Sequence, residues 1–247
     1  MIRWHSFLRM QIKVAKKLNS VIVVSKSSKQ DIHDDFGLKK EAMKVILNGI
    51  DTEAFFPDEN IKKIPFRIVT SASSDVPLKG LDYLLEAFSE VIKIFPDSTL
   101  QIIGSSKQGG HTSRKINDLN IKEKVQFNND LSFKEVRDLY CSADVVVIPS
   151  LYEGFGFAIG EAMACRVPVI TTSGGAIPEV IEDCGILVSP GNSKELEEAM
   201  IKLLPDEKRK SFFAEKGFNR IIEHLKWEKV AKLMTESYET EINRITN

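Results

Sequence analysis

The chain has 247 residues, 34 Lys and Arg against 35 Asp and Glu, and 43% hydrophobic residues. At roughly 150 residues per domain this allows one to two domains, with a substantial core that needs no disulfide or metal staple. The net charge of −1 argues against a strongly basic nucleic-acid binder. Cys141, Cys165 and Cys184 are scattered, with no Cys-x-x-Cys pair, which excludes a disulfide framework and a zinc ribbon and suits a reducing cytoplasm. No apolar run reaches the roughly 18–20 residues of a membrane span, and no signal-peptide pattern opens the chain. A cytoplasmic location is therefore expected.

Residues 2–18 read as a helix carrying Arg3, Arg9, Lys13, Lys16 and Lys17 and no acid, with Phe7, Met10, Val14 and Leu18 on one face. Such a helix suits either peripheral contact with the inner face of a membrane or packing with a solvated basic side. A strand at Val21–Val24, a helix at Ser27–Phe36 and a strand at Lys44–Leu47 follow. They are too few to close a Rossmann-type domain. The turn-rich stretch Asn48–Pro65 reads as a linker.

Beyond it the pattern becomes regular. Phe66–Val69, Leu100–Ile103, Asp144–Ile148, Val167–Ile170 and Gly185–Val188 read as strands, several apolar throughout, as when helices cover both faces of a parallel sheet. Gly80–Ile94 places Leu81, Leu84, Leu85, Phe88, Val91 and Ile92 on one helical face. Ser132, with Glu135 three residues on, makes a capping box, and Ser193 opens a further helix. From Asp206 onward no strand signal remains, and two helices are expected, broken near His224–Lys226. The alternation predicts an α/β domain with a doubly wound parallel sheet and a ligand at the carboxyl ends of its strands. The domain is expected over residues 57–224, with 1–56 before it and a final helix over 225–247.

The window Ile148–Ala164 carries the chemistry. A strand ends at Ile148, a loop holds Glu153, Gly154 and Gly156, and a helix starts near Phe157. Glycines in such a turn let the backbone approach a ligand, and the free first-turn amides make an anion site. Glu153 and Glu161 flank it, eight positions apart. A nucleotide-diphosphate sugar would match both features, with phosphates for the amides and hydroxyls for the carboxylates. The same residues also fit a plain tight turn with two solvated carboxylates. Lys79, between a strand and a helix, fits either a phosphate contact or an exposed side chain after a turn.

The window resembles the E-x7-E signature of glycosyltransferase family 4, retaining enzymes of the GT-B fold. Val45–Thr52, Leu78–Phe88, Ser142–Val145 and Gly174–Val180 support the likeness in order and spacing. The resemblance implies that residues 57–224 are the Rossmann-like donor domain, 1–56 a remnant of the acceptor-side domain with its linker, and 225–247 the crossover helix. It implies hexosyl transfer from a UDP- or GDP-sugar with retention of configuration, Glu153 and Lys79 being catalytic. Ser74, Gly104, Gly154, Phe155, Gly156, Phe157 and Glu161 would bind the nucleotide-sugar, with further contacts around Asn128–Asp130 and at the Gly174–Gly175 turn. No metal is expected, because the chain has no Asp-x-Asp pair and no clustering of His5, His33, His111 or His224; His111 itself fits a pocket-lining position or, better, a surface loop.

Two departures from the family pattern stand out. Ser73 and Ser74 occupy the positions where an Arg would face the diphosphate, and Asp75 beside them would repel it. Arg166 replaces a Gly ahead of the Val167–Ile170 strand. The length implies that most of an acceptor-side domain lies outside these 247 residues, so the last helix would lack its docking surface. Three functions are therefore compatible: a transferase, a non-catalytic nucleotide-sugar-binding subunit or donor half paired with a separate acceptor-domain chain, and, less well matched, a nucleotide-sugar epimerase of the same fold.

Overall fold

The computed structural model describes residues 10–246. Of the basic helix expected over 2–18, residues 1–9 lie outside the described residues, and 10–15 are helical. β1 (Val21–Val23) runs into α1 (Lys26–Phe36) and pairs in parallel with β2 (Met43–Val45), making a small separate sheet.

The main sheet has six strands: β3 (Arg67–Ser71), β4 (Thr99–Ile103), β5 (Val125–Asn128), β6 (Val145–Ile148), β7 (Val169–Thr172) and β8 (Ile186–Val188). Their order is β5-β4-β3-β6-β7-β8 and every neighbouring pair is parallel. This is the doubly wound order expected of alternating strands and helices, and it reverses between β3 and β6. Alternate residues feed opposite faces, as a period of two requires. Ile68, Val145 and Val147 join a core with α2 (Leu81–Ile94), α3 (His111–Asp118) and α7 (Ser193–Leu203). Val69, Val146 and Ile148 join the other core, with α4 (Phe133–Ser142), α5 (Phe157–Ala164) and α6 (Ile177–Ile181). Ser132 caps α4 through the capping box read from the sequence.

Three sequence readings need correction. β5 and α3 were not legible: β5 alternates Val-Gln-Phe-Asn at a sheet edge, and α3 buries only Thr112 and Ile116. His111 accordingly starts a helix instead of sitting in a surface loop. β7 runs two residues later than expected, because Pro168 has no N–H to donate and Thr171 and Thr172 are fully buried with hydroxyls on the carbonyls of Ile148 and Ser150. The supposed linker is a packed strap: Ile50 donates to Leu225 O at 2.7 Å, accepts from Trp227 N at 3.3 Å, and is buried with Phe55 in the second core.

After α8 (Glu207–Arg220) a π-helical turn over Ile221–Leu225 makes the break before α9 (Trp227–Thr246). α9 buries Val230 and Ser237 but exposes Leu233, Tyr238 and Ile242, so it docks along one side only. Lys210 of α8 reaches the amino end of β6. Its Nζ lies 2.6 Å from Asp144 Oδ1, both residues are buried, and Asp144 Oδ2 accepts from Phe66 N at 2.9 Å. Burial opposes the Lys210 charge most, yet hydrogen bonds to Asp144 and Glu207 outweigh it and raise the Lys210 pKa. Without Asp144, Lys210 keeps, among the described residues, only the exposed Glu207 carboxylate at 2.6 Å, and Phe66 N loses its acceptor. Asp144→Ala should destabilise the chain by about 1–3 kcal/mol in urea denaturation, and a loss below about 0.5 kcal/mol would show that the pair is solvated.

Candidate functional site at the strand-order reversal

The crevice lies outside the carboxyl ends of β3 and β6. After β3 the chain makes a short 3-10 turn, Pro77–Lys79, and enters α2 through Gly80. Gly80 has φ +64°, and a Cβ there would meet Pro149 O at 1.9 Å, so only glycine lets this turn lie against the end of β6. Leu151 N donates to Leu78 O at 2.8 Å and ties the two loops together. The result brings Lys79 Nζ within 2.8 Å of Glu153 Oε1, and Ser150 Oγ donates to the same oxygen at 2.7 Å. Side-chain exposure is 41% for Lys79 and 17% for Glu153, so the cation faces solvent while the carboxylate is recessed.

The backbone of Glu153 is fixed as well. It bridges Gly175, and its carbonyl accepts from Ala176 N at 2.8 Å. The Gly174–Gly175 turn thus buttresses the Glu153 loop from the β7 side. At Gly154 a Cβ would meet no atom within 4 Å, so the backbone there borders open space. Gly156, at φ +100°, is the N-cap of α5, whose first amides have no carbonyl acceptor within the helix. Phe157 is exposed at its start, whereas Phe155 is buried against it with ring centroids 5.0 Å apart. The Phe155 side chain therefore belongs to the core, and only its backbone is available to a ligand.

Glu161 lies one turn into α5, partly buried. Burial pushes its carboxyl up from 4.5 to about 7. Among the described residues no hydrogen bond or ion pair reaches that carboxyl. It is an acid with unused hydrogen-bonding capacity. Gly104, at φ +150°, ends β4 with its amide on Asn128 O at 3.0 Å and its Cα so close to Ala72 that a Cβ would meet Ala72 O at 2.4 Å. Ser74 Oγ accepts from Lys107 N at 2.8 Å and so braces the loop after β4. Asp75 turns onto α3 instead of the crevice, its Oδ1 accepting from Thr112 N at 3.0 Å, which lowers its pKa. Arg166 has φ +55°, the conformation a Gly would supply, and is held there by Glu215 at 3.2 Å and the Phe218 ring at 4.4 Å.

The structure thus gathers Lys79, Glu153, Gly154 and the start of α5 at one crevice, and turns Ser74 and Asp75 to loop-bracing contacts. Sequence reasoning missed Ser150, which lay unremarked within the Ile148–Ala164 window, and Glu179, which lay unremarked within the Gly174–Val180 stretch. Among the described residues no group of three or more His, Cys, Asp or Glu is placed to hold a metal ion, and no helix is long and apolar enough to cross a membrane.

The sequence profile of the family described as glycosyl transferases group 1 matches residues 65–206. The chain is 35% identical over 246 residues to MMP alpha-(1->4)-mannosyltransferase of Mycolicibacterium hassiacum, covering 98% of this chain and 59% of that protein. It thus spans about three fifths of this relative's length. The sucrose-phosphate synthase of Thermosynechococcus elongatus superposes with a TM-score of 0.84 at 24% identity, over 97% of this chain and 62% of that one. HepE of Anabaena, in a structure with UDP and glucose, gives a TM-score of 0.84 at 22% identity, over 94% of this chain and 66% of its own. These structures share the fold, the doubly wound α/β arrangement of the GT-B glycosyltransferases.

Glu161 generates a pH prediction. Its folded pKa is raised, so ionising it costs stability. The cost is absent below pH 4.5, where the carboxyl is protonated folded or unfolded, and it grows through the window from 4.5 to about 7. Glu161→Gln should therefore gain on the order of 3 kcal/mol over wild type at pH 8 and nearly nothing at pH 4. Urea denaturation at the two pH values measures this, and equal differences at both would contradict it.

Proposed function

Because the chain belongs to the glycosyl transferases group 1 family, we propose that it binds a nucleotide-diphosphate sugar in the β3–β6 crevice and serves hexosyl transfer with retention of configuration. The observation that carries this reading is the convergence of Lys79 and Glu153 at 2.8 Å, beside the open backbone of Gly154 and the start of α5. A mannosyltransferase relative and a fold neighbour solved with UDP and glucose support the ligand class. The acceptor, the UDP or GDP choice, any separate acceptor-domain chain and the peripheral membrane contact through residues 1–18 are parts of the proposal that belong to the whole protein.

Each residue then has a task. Departure of the nucleoside diphosphate concentrates negative charge on the bridging oxygen and the phosphates. Lys79 neutralises it, and the α5 amides donate to the phosphates or the sugar. We propose that this cation and helix terminus take the place of a metal ion. Glu153, held by Ser150 and by the Gly175 turn, faces the sugar ring and stabilises the oxocarbenium-like charge as the sugar–phosphate bond breaks. Glu161, whose carboxyl has no partner among the described residues, accepts from the ribose hydroxyls. Ser73 and Ser74 bring no second cation, so Lys79 carries more of the diphosphate charge than it would beside an arginine.

Calorimetry with UDP, GDP and their hexose conjugates tests the reading. One nucleotide family should bind, Glu161→Ala should weaken the free nucleotide about tenfold or more, and Lys79→Ala should weaken diphosphates by a similar factor while sparing the nucleoside. Binding that is unchanged in both variants would sink the assignment. For the stereochemistry, proton NMR of the first-formed product should show the anomeric configuration of the donor.

A further inference from the structure

Glu179 lies in α6, outside the ion pair and the crevice loops. Its carboxylate leaves its own helix and accepts from the first two amides of α1, Lys26 N at 2.7 Å and Ser27 N at 2.9 Å. Ser25, the N-cap, accepts from Ser28 N at 2.9 Å. The first turn of α1 contains no acidic residue, so the negative charge that favours a helix N-terminus is delivered by a residue more than 150 positions away. Two further contacts join α1 to the Glu153 loop. Ser28 Oγ donates to Gly154 O at 3.4 Å, and the Tyr152 hydroxyl donates to the Asp31 carboxylate.

These contacts surround Glu153. Tyr152 and Gly154 are its chain neighbours, and its carbonyl is bonded to Ala176, at the start of α6. Glu153 and α6 are therefore one backbone-linked unit, and Glu179 fastens that unit to α1. The apolar anchors of α1, Ile32 and Phe36, lie in its second half, on the core of the small sheet. Its first half has no buried residue and is held by polar contacts. Two of them are charge-assisted hydrogen bonds from the one Glu179 carboxylate.

We propose that Glu179 is a positioning residue, which fixes α1 against the Glu153 turn and through it sets where Glu153 stands relative to the sugar of a bound donor. This rests on the nucleotide-sugar reading above. Glu179 acts on the sugar end of the site and leaves the nucleotide end, at Glu161, untouched. It therefore affects a nucleotide-sugar and its free nucleotide differently, which a general loosening of the fold would not do.

The test uses the full chain, with Glu179→Ala and Glu179→Gln. Hydrogen–deuterium exchange should show the Lys26 and Ser27 amides opening about tenfold faster or more in Glu179→Ala. Glu179→Gln, which keeps one acceptor oxygen, should recover part of that protection. Calorimetry with UDP against UDP-glucose, and GDP against GDP-mannose, should show the free nucleotide within about twofold of wild type and the matching sugar conjugate weakened several-fold in Glu179→Ala. Unchanged exchange at α1, or equal loss for nucleotide and conjugate, overturns the proposal. Should wild type bind neither nucleotide, the donor reading fails and sugar positioning falls with it, while the exchange measurement still decides whether Glu179 holds α1.

Discussion

The strand order is the constraint on which everything else at the crevice depends. Successive crossovers from β3 and from β6 leave in opposite directions along the sheet, so their loops part at the one place where the two strands are neighbours. In sheets wound this way the crevice forms at that point. Lys79 comes from the loop on one side and Glu153 from the loop on the other, and backbone sets their separation. Gly80 sits against Pro149, Leu78 accepts from Leu151, and Glu153 bridges Gly175. An ion pair fixed by three backbone contacts is preorganised to a degree that two free surface side chains are not.

The two glutamates share a loop and a helix yet stand in opposite environments. Glu153 has a cation and a hydroxyl on one oxygen. Among the described residues Glu161 has neither, and burial raises its pKa to about 7. Groups placed this way divide labour by environment and not by residue type. The crevice also carries less positive charge than the resemblance implied, since serines stand where an arginine was expected. Part of that deficit is made good by geometry. Asp75, the nearby group most opposed to a phosphate, is taken up by the Thr112 amide at the start of α3.

The central strands were legible in the sequence because burial on both faces leaves an uninterrupted β-branched run, as in Val145–Ile148. The Glu153–Glu161 window was legible because its glycines and carboxylates fall at a strand-to-helix turn. Edges and braces were not. β5 is half exposed, and its Val-Gln-Phe-Asn alternation spans only four residues, too short a run to mark a strand. β7 slipped because Pro168 looks apolar but cannot join the ladder, while Thr171 and Thr172 look polar but satisfy their hydroxyls on buried carbonyls. The Ile50 strap read as a linker because the turn residues around it are visible, and its contacts with Leu225 and Trp227 are long-range backbone bonds with no local signature. Arg166 keeps a left-handed backbone without glycine because Glu215 and Phe218 hold its side chain, a compensation that only packing reveals.

These braces divide the chain by the kind of force that holds it. The six-stranded sheet is secured by two buried apolar cores, and opening it means exposing fully buried residues such as Leu84, Phe88, Val146 and Ile159. The small sheet has a minor core of its own around Val23, Leu38 and Met43. Where the start of α1 meets the crevice, it is joined by hydrogen bonds whose partners regain water when they part, each worth little net. Segments of that kind open at lower free energy than the cores they border. The first half of α1 can therefore shift without loss of the sheet, and the Glu153 turn, which it touches at Tyr152 and Gly154, is the part of the crevice that must register the shift.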